Sequence, residues 1–227
     1  MNLEWLLTQV FSYVNHFYEA IVSTDSLIGK DETTSDKEIT EAMIFLVLSS
    51  GIGAAGFSYI TKTEIDFAKD LVTIGLLDVL SMIVFSVLVL IAWRLAGSKL
   101  PFHVFLRGSA YFVGVTTVLG MVASLAFLGF VAGFRPGMLA EARLAVWSVF
   151  VNPREILSDD FPENWADVTM LLLLLAVGSI LQLLTWWRLY RIRSSLSWKH
   201  AGWAFLNFTA LNALVFDILV GFSLRRN

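Results

Sequence analysis

The chain has 227 residues, of which 57% are hydrophobic and only 15% charged, and its net charge is −3. That balance excludes an ordinary soluble domain and places the chain among polytopic membrane proteins. With no cysteine, disulfides, thiolate metal sites and cysteine nucleophiles are excluded, and 16 Lys and Arg scattered through short loops leave no footprint for nucleic acid.

Residues 3 to 22 are predicted to form an amphipathic helix. Leu3, Leu6, Leu7, Val10, Phe11, Val14, Phe17, Tyr18 and Ile21 recur at helical spacing, opposite Thr8, Gln9, Ser12, Asn15, His16 and Glu19. The segment is no signal peptide, because it lacks a positive n-region and polar residues interrupt it. The first basic residue of the chain is Lys30, whereas a helix lying on anionic lipid usually carries Lys or Arg on its polar face. The expectation is therefore that Leu7, Phe11, Val14 and Tyr18 dock on the protein's own bundle or on a partner.

A polar linker completes an N-terminal part, residues 1–34, and residues 35–227 are predicted as the transmembrane domain. Ser35 and Glu38 have the spacing of a capping box. Five spans follow, at about 42–60, 71–93, 108–134, 168–187 and 201–224. The first contains Ser49 to Gly56, SSGIGAAG, whose small side chains let helix backbones approach closely in lipid. The second, Leu71 to Trp93, is the clearest: one charge, Asp78, in a run long enough to cross the hydrocarbon. The third ends in Gly129-Phe-Val-Ala-Gly133, a GxxxG read here as packing. Between the third and fourth spans, Met138 to Val151 is expected as a short interfacial helix, followed by an acidic stretch broken by Pro153 and Pro162. The fold class is thus all-α, a polytopic membrane helix bundle with five transmembrane helices and an N-terminal amphipathic helix.

Loop charge sets the orientation. Arg94, Lys99, Arg107, Arg188, Arg191, Arg193 and Lys199 fall on the side of the N-terminus, which makes that side cytoplasmic and the C-terminus non-cytoplasmic. Trp93, Trp186, Trp187, Trp198 and Trp203 then mark a cytoplasmic aromatic belt, with Trp147 and Trp165 at the opposite interface.

Polar groups inside the spans are the functional candidates, because a carboxylate at a helix centre costs about 2.5–3.5 kcal/mol on insertion scales and needs a partner, water or a proton. Asp78 and Asp217 each stand eighth from the non-cytoplasmic end of their spans, on faces rich in small residues. Together with Asn212, Gln182 and Asn207 they form a candidate intramembrane polar site. Two readings stand open. The acids pair to hold a proton or cation, or each is protonated or capped across a helix interface by Ser, Thr or Asn. No GxGD pattern surrounds either acid, and there is no P-loop, HExxH or GxSxG. His16, His103 and His200 are scattered, so no metal site, catalytic residue or cofactor is expected.

The stretches TSDKEITEAMIFLVLSSGIGAAGF (Thr34 to Phe57) and GSKLPFHVFLRGSAYFVGVTTVLGMVASLAF (Gly97 to Phe127) resemble the Yip1-domain family of membrane proteins, particularly bacterial ones. WRLYRIRSSLSWKHAGWAFLNFTALNALVFDIL (Trp187 to Leu219) is similar to its last two spans, so that the resemblance covers roughly residues 35 to 225. It implies five spans, a cytoplasmic N-terminus, no catalysis and a bacterial inner membrane. The DLYGP-like motif that eukaryotic members carry before their spans is absent. The expected function is a non-enzymatic membrane protein that organises membrane or binds a membrane protein partner, with membrane lipids and a partner or second copy as its company. The alternative is an oligomeric channel or transporter with a proton or cation route lined by intramembrane aspartates.

Overall fold

The computed structural model of the chain describes residues 3–22, 24–27, 36–61, 67–150 and 165–224, and among them every regular element is helical. In chain order these are α1 (Leu3–Val22), α2 (Thr24–Leu27), α3 (Asp36–Thr61), α4 (Phe67–Leu95), α5 (Phe102–Phe134), a 3₁₀ turn (Pro136–Met138), α6 (Leu139–Phe150), α7 (Trp165–Arg193) and α8 (Trp198–Leu224). Three stretches within them are long and apolar enough to cross a membrane: Lys37–Gly56 in α3, Leu71–Leu95 in α4 and Phe102–Phe134 in α5.

Local chemistry explains where the long helices stop. After α4, Gly97 adopts φ +95°, Ser98 N–H donates to Trp93 O at 2.8 Å and Gly97 N–H to Arg94 O at 3.0 Å. This is a Schellman cap, in which a left-handed residue turns the chain back over the last carbonyls. Arg94 adds side-chain donors to Ser98 O and Leu100 O. α7 ends the same way, with Leu196 N–H on Arg191 O and Ser195 N–H on Ile192 O, except that Ser195 holds the left-handed position at φ +52°. The hydroxyls of Ser98 and Ser194 meet at 2.7 Å and tie the two turns together. Pro101 immediately precedes α5, where its missing N–H costs nothing. That helix begins at Phe102, earlier than the sequence pattern suggests, so Arg107 lies inside it and not in a loop.

The chain divides into two compact units: Met1–Leu46, Val79–Val113 and Leu183–Asn227 form the first, and Val47–Asp78 with Gly114–Gln182 the second. The first is built on aromatic packing. Trp93, Trp186, Tyr111, Tyr190, Phe45 and Phe105 are fully buried. Tyr190 lies 5.0 Å from Phe105 and 6.1 Å from Trp93, while Tyr111 stacks on Trp186 at 6.3 Å. Gly108 makes this possible, because a side chain there would strike the Tyr190 hydroxyl. Trp187 donates from Nε1 to Ala201 O at 2.9 Å and packs on Phe208. The proposed aromatic belt therefore needs correcting. Trp93, Trp186 and Trp187 are core residues, and of the five only Trp198 and Trp203 are exposed. Trp198 carries the Arg191 guanidinium 4.0 Å above its ring. In lipid, where hydrophobic burial between helices adds little, such close packing is what holds helices together.

The second unit has a core of Phe127, Leu128 and Val131 from α5 against Ala142 and Val146 from α6, with Met138, Leu139 and Leu175 at its edge. Gly129 and Gly133 take no part in it. A side chain added at either meets nothing within 4 Å among the described residues, so this GxxxG is not a close-packing seam there.

Candidate functional site

Within the second unit, Asp78 interrupts Leu71–Leu95, the candidate span of highest mean hydropathy, and has its needs met by its neighbours. Ser50 Oγ on α3 donates to one carboxylate oxygen at 2.6 Å, and Thr117 Oγ1 on α5 donates to the other at 3.1 Å. Ser50 is buried, whereas Asp78 and Thr117 are half-buried. Both carboxylate oxygens thus have a donor, each from a different helix.

The small residues of α3 bring those donors within reach. At Gly53, one turn beyond Ser50, an added Cβ would lie 2.7 Å from Thr117 Cγ2, so α3 and α5 touch backbone to side chain there. At Gly56 the same test meets Met121. The stretch SSGIGAAG is the seam along which α5 approaches closely enough for Thr117 to reach Asp78. Among the described residues no three His, Cys, Asp or Glu side chains converge to hold a metal ion.

The other polar candidates are placed separately. Gln182 is buried in the second unit. Asn207 and Asn212 belong to the first unit and are half-buried, and Asn212 spends an amide proton on Phe208 O of its own helix at 3.0 Å. Asp217 lies on α8, and its side chain is outside the described residues. Asp78 therefore meets Ser50 and Thr117, neither of them predicted as a site residue.

On α1, Phe11, Val14 and Tyr18 are exposed, and the Leu7 side chain lies outside the described residues. The helix packs instead through Tyr13, His16, Phe17 and Ala20. Tyr13 stacks on Phe45 at 5.0 Å, Phe17 lies 6.4 Å from the same ring, and His16 faces Tyr111 at 6.0 Å. Beside this contact stands an ion pair the sequence did not suggest. Arg107, 5% exposed, donates from a terminal nitrogen to Glu38 at 2.6 Å. Removing Glu38 would leave the buried Arg107 guanidinium without this partner, a costly arrangement for a charge inside a helix bundle. Here the pair links the start of α3 to the first turns of α5.

Comparison with protein-family models, with curated proteins and with solved structures finds no match to this chain.

Proposed function

We propose that the chain is a non-enzymatic, Yip1-like integral membrane protein of five spans that organises membrane or binds a membrane protein partner. The observation that carries this reading is the Asp78 carboxylate, which has a hydroxyl donor on each oxygen and so acts as a clasp between α3, α4 and α5. A route for ions needs carboxylates that face water and exchange protons or cations. A clasp needs them satisfied by neighbouring helices. The three apolar helices account for three of the proposed spans. α7, of 29 residues, and α8, of 27, are long enough for the other two, since about 20 suffice. Arg94 in the last turn of α4, Lys99 after it, Arg191 and Arg193 in the last turn of α7 and Lys199 at the start of α8 support a cytoplasmic N-terminal side, and the Yip1 resemblance supports a bacterial inner membrane.

The test is purification of the tagged chain in mild detergent after crosslinking in intact membranes. A defined higher-order species, a second copy or another membrane protein, is expected to persist. A strictly monomeric chain at every detergent and crosslinker concentration contradicts the partner arm. Hydrolytic turnover of bilayer lipid by the purified chain contradicts the non-enzymatic one.

A further inference from the structure

α1 has three faces, and the contacts of the first unit say what one of them meets. At about 100° per residue, Tyr13, His16, Phe17 and Ala20 fall in one sector, the one whose rings pack against Phe45 and Tyr111. Thr8, Ser12, Asn15 and Glu19 fall in a second, polar sector, where Asn15 donates to Glu19 at 2.9 Å. Val10, Phe11, Val14, Tyr18, Ile21 and Val22 fall in the third. Among the described side chains that sector is apolar apart from one phenol, and each of the six is exposed, Phe11 to 72%. The three sectors are roughly a third of a turn apart.

Depth along the spans identifies what covers the third sector. The Arg107–Glu38 pair marks a polar level near the start of α3 and α5. Phe45 is seven residues further along α3 and Tyr111 four further along α5, which at 1.5 Å per residue puts the contacts of α1 about 6–10 Å deeper. An interfacial helix buries its apolar face about 5–10 Å below the headgroup boundary. Anionic lipid supplies no attraction, because residues 1–29 contain no Lys or Arg but do contain Glu4 and Glu19. We propose that α1 lies along one leaflet, with Val10, Phe11, Val14, Tyr18, Ile21 and Val22 set among acyl chains of electrically neutral lipid. Its polar sector faces the headgroups, and its third side is clamped to α3 and α5. The helix occupies area in that leaflet alone, which gives the membrane-organising reading a physical basis. The inference rests on the membrane placement of the chain and not on the identity of any partner.

The cysteine-free chain permits a direct test. The full-length protein, spin-labelled singly at Phe11→Cys, Val14→Cys, Ser12→Cys or Asn15→Cys, is reconstituted into phosphatidylcholine vesicles. Its collisions with oxygen and with a water-soluble nickel chelate are then measured. Leu80→Cys, on an exposed position of α4, serves as the reference. Oxygen is expected to dominate at 11, 14 and 80 and the chelate at 12 and 15, with no change when anionic lipid is added. A chelate-dominated profile at 11 and 14 overturns the proposal, as does protection there from both probes, which means that protein covers the face. A chelate-dominated profile at 80 overturns the membrane placement itself. A thermal scan of each labelled variant checks that the packed sector is intact.

Discussion

Removing the two hydroxyls that hold Asp78 provides the sharpest energetic test of the clasp. Ser50→Ala and Thr117→Val each delete one donor with little change of shape. Side-chain hydrogen bonds between membrane helices average about 0.6 kcal/mol and reach about 1.7 kcal/mol in mutant cycles. The Ser50 bond, at 2.6 Å to a carboxylate, belongs near the upper end, and the Thr117 bond, at 3.1 Å, near the mean. Asp78→Ala frees both hydroxyls, which can turn back to carbonyls of their own helices and recover part of the loss. Double-mutant cycles with Asp78→Ala should therefore give coupling energies of about 1–1.5 kcal/mol for Ser50 and about 0.5 kcal/mol for Thr117. The assay is reversible unfolding in mixed micelles of mild detergent and dodecyl sulfate, followed by circular dichroism. Additive losses in both cycles would refute the reasoning, because a carboxylate held by these hydroxyls cannot be independent of them.

Three further outcomes follow from the packing and one from the loop charges. Gly53→Ala should cost about 1–2 kcal/mol, because the stiff, β-branched Thr117 stands in the way, and Gly56→Ala less, because the flexible Met121 side chain can move; equal costs in the same unfolding assay contradict this. Gly97→Ala should destabilise and Ser195→Gly stabilise, each by about 0.5–1 kcal/mol, since both positions are left-handed; thermal midpoints moving the other way contradict the capping account. Among the described residues the buried Tyr190 Oη has no hydrogen-bond partner, so Tyr190→Phe should be neutral or stabilising by up to about 1 kcal/mol, and a loss larger than that contradicts the assignment of the hydroxyl as unpartnered. Thiol labelling of intact cells should leave Ser35→Cys and Ser195→Cys shielded and Ser158→Cys reactive, and the reverse pattern contradicts the proposed orientation.

The parts of the fold legible in sequence are those that hydropathy alone determines. The run around Asp78 reads as a span because its apolar residues are contiguous and its ends are charged, and α4 covers it. SSGIGAAG reads as a close-approach seam because only small residues permit one, and Gly53 and Gly56 bear this out. Partners across helices were illegible, since periodicity says which face a residue is on and not what faces it. Thr117 is one of two adjacent threonines in an apolar run, with nothing to distinguish it. Charge is normally excluded from spans, so the pattern places Arg107 in a loop. The structure keeps it inside α5 by giving it Glu38, sixty-nine positions away. On α1 the most hydrophobic stripe is not the packed one. His16 and Tyr13 pack because their flat rings fit Tyr111 and Phe45, a matter of shape that a hydropathy scale does not record. The Trp residues misled in the same way, since indoles at helix ends serve equally as interfacial anchors or as core.

The measurement that bears most directly on the central claim is proton and monovalent-cation flux through the purified protein in sealed proteoliposomes, under imposed pH, potassium and sodium gradients. If Asp78 is a clasp, wild-type vesicles leak no faster than protein-free ones, and Asp78→Asn changes stability without changing flux. Flux above the protein-free background in the wild type, lost in Asp78→Asn while the helices stay folded, would show that the carboxylate lines a route and would contradict the account.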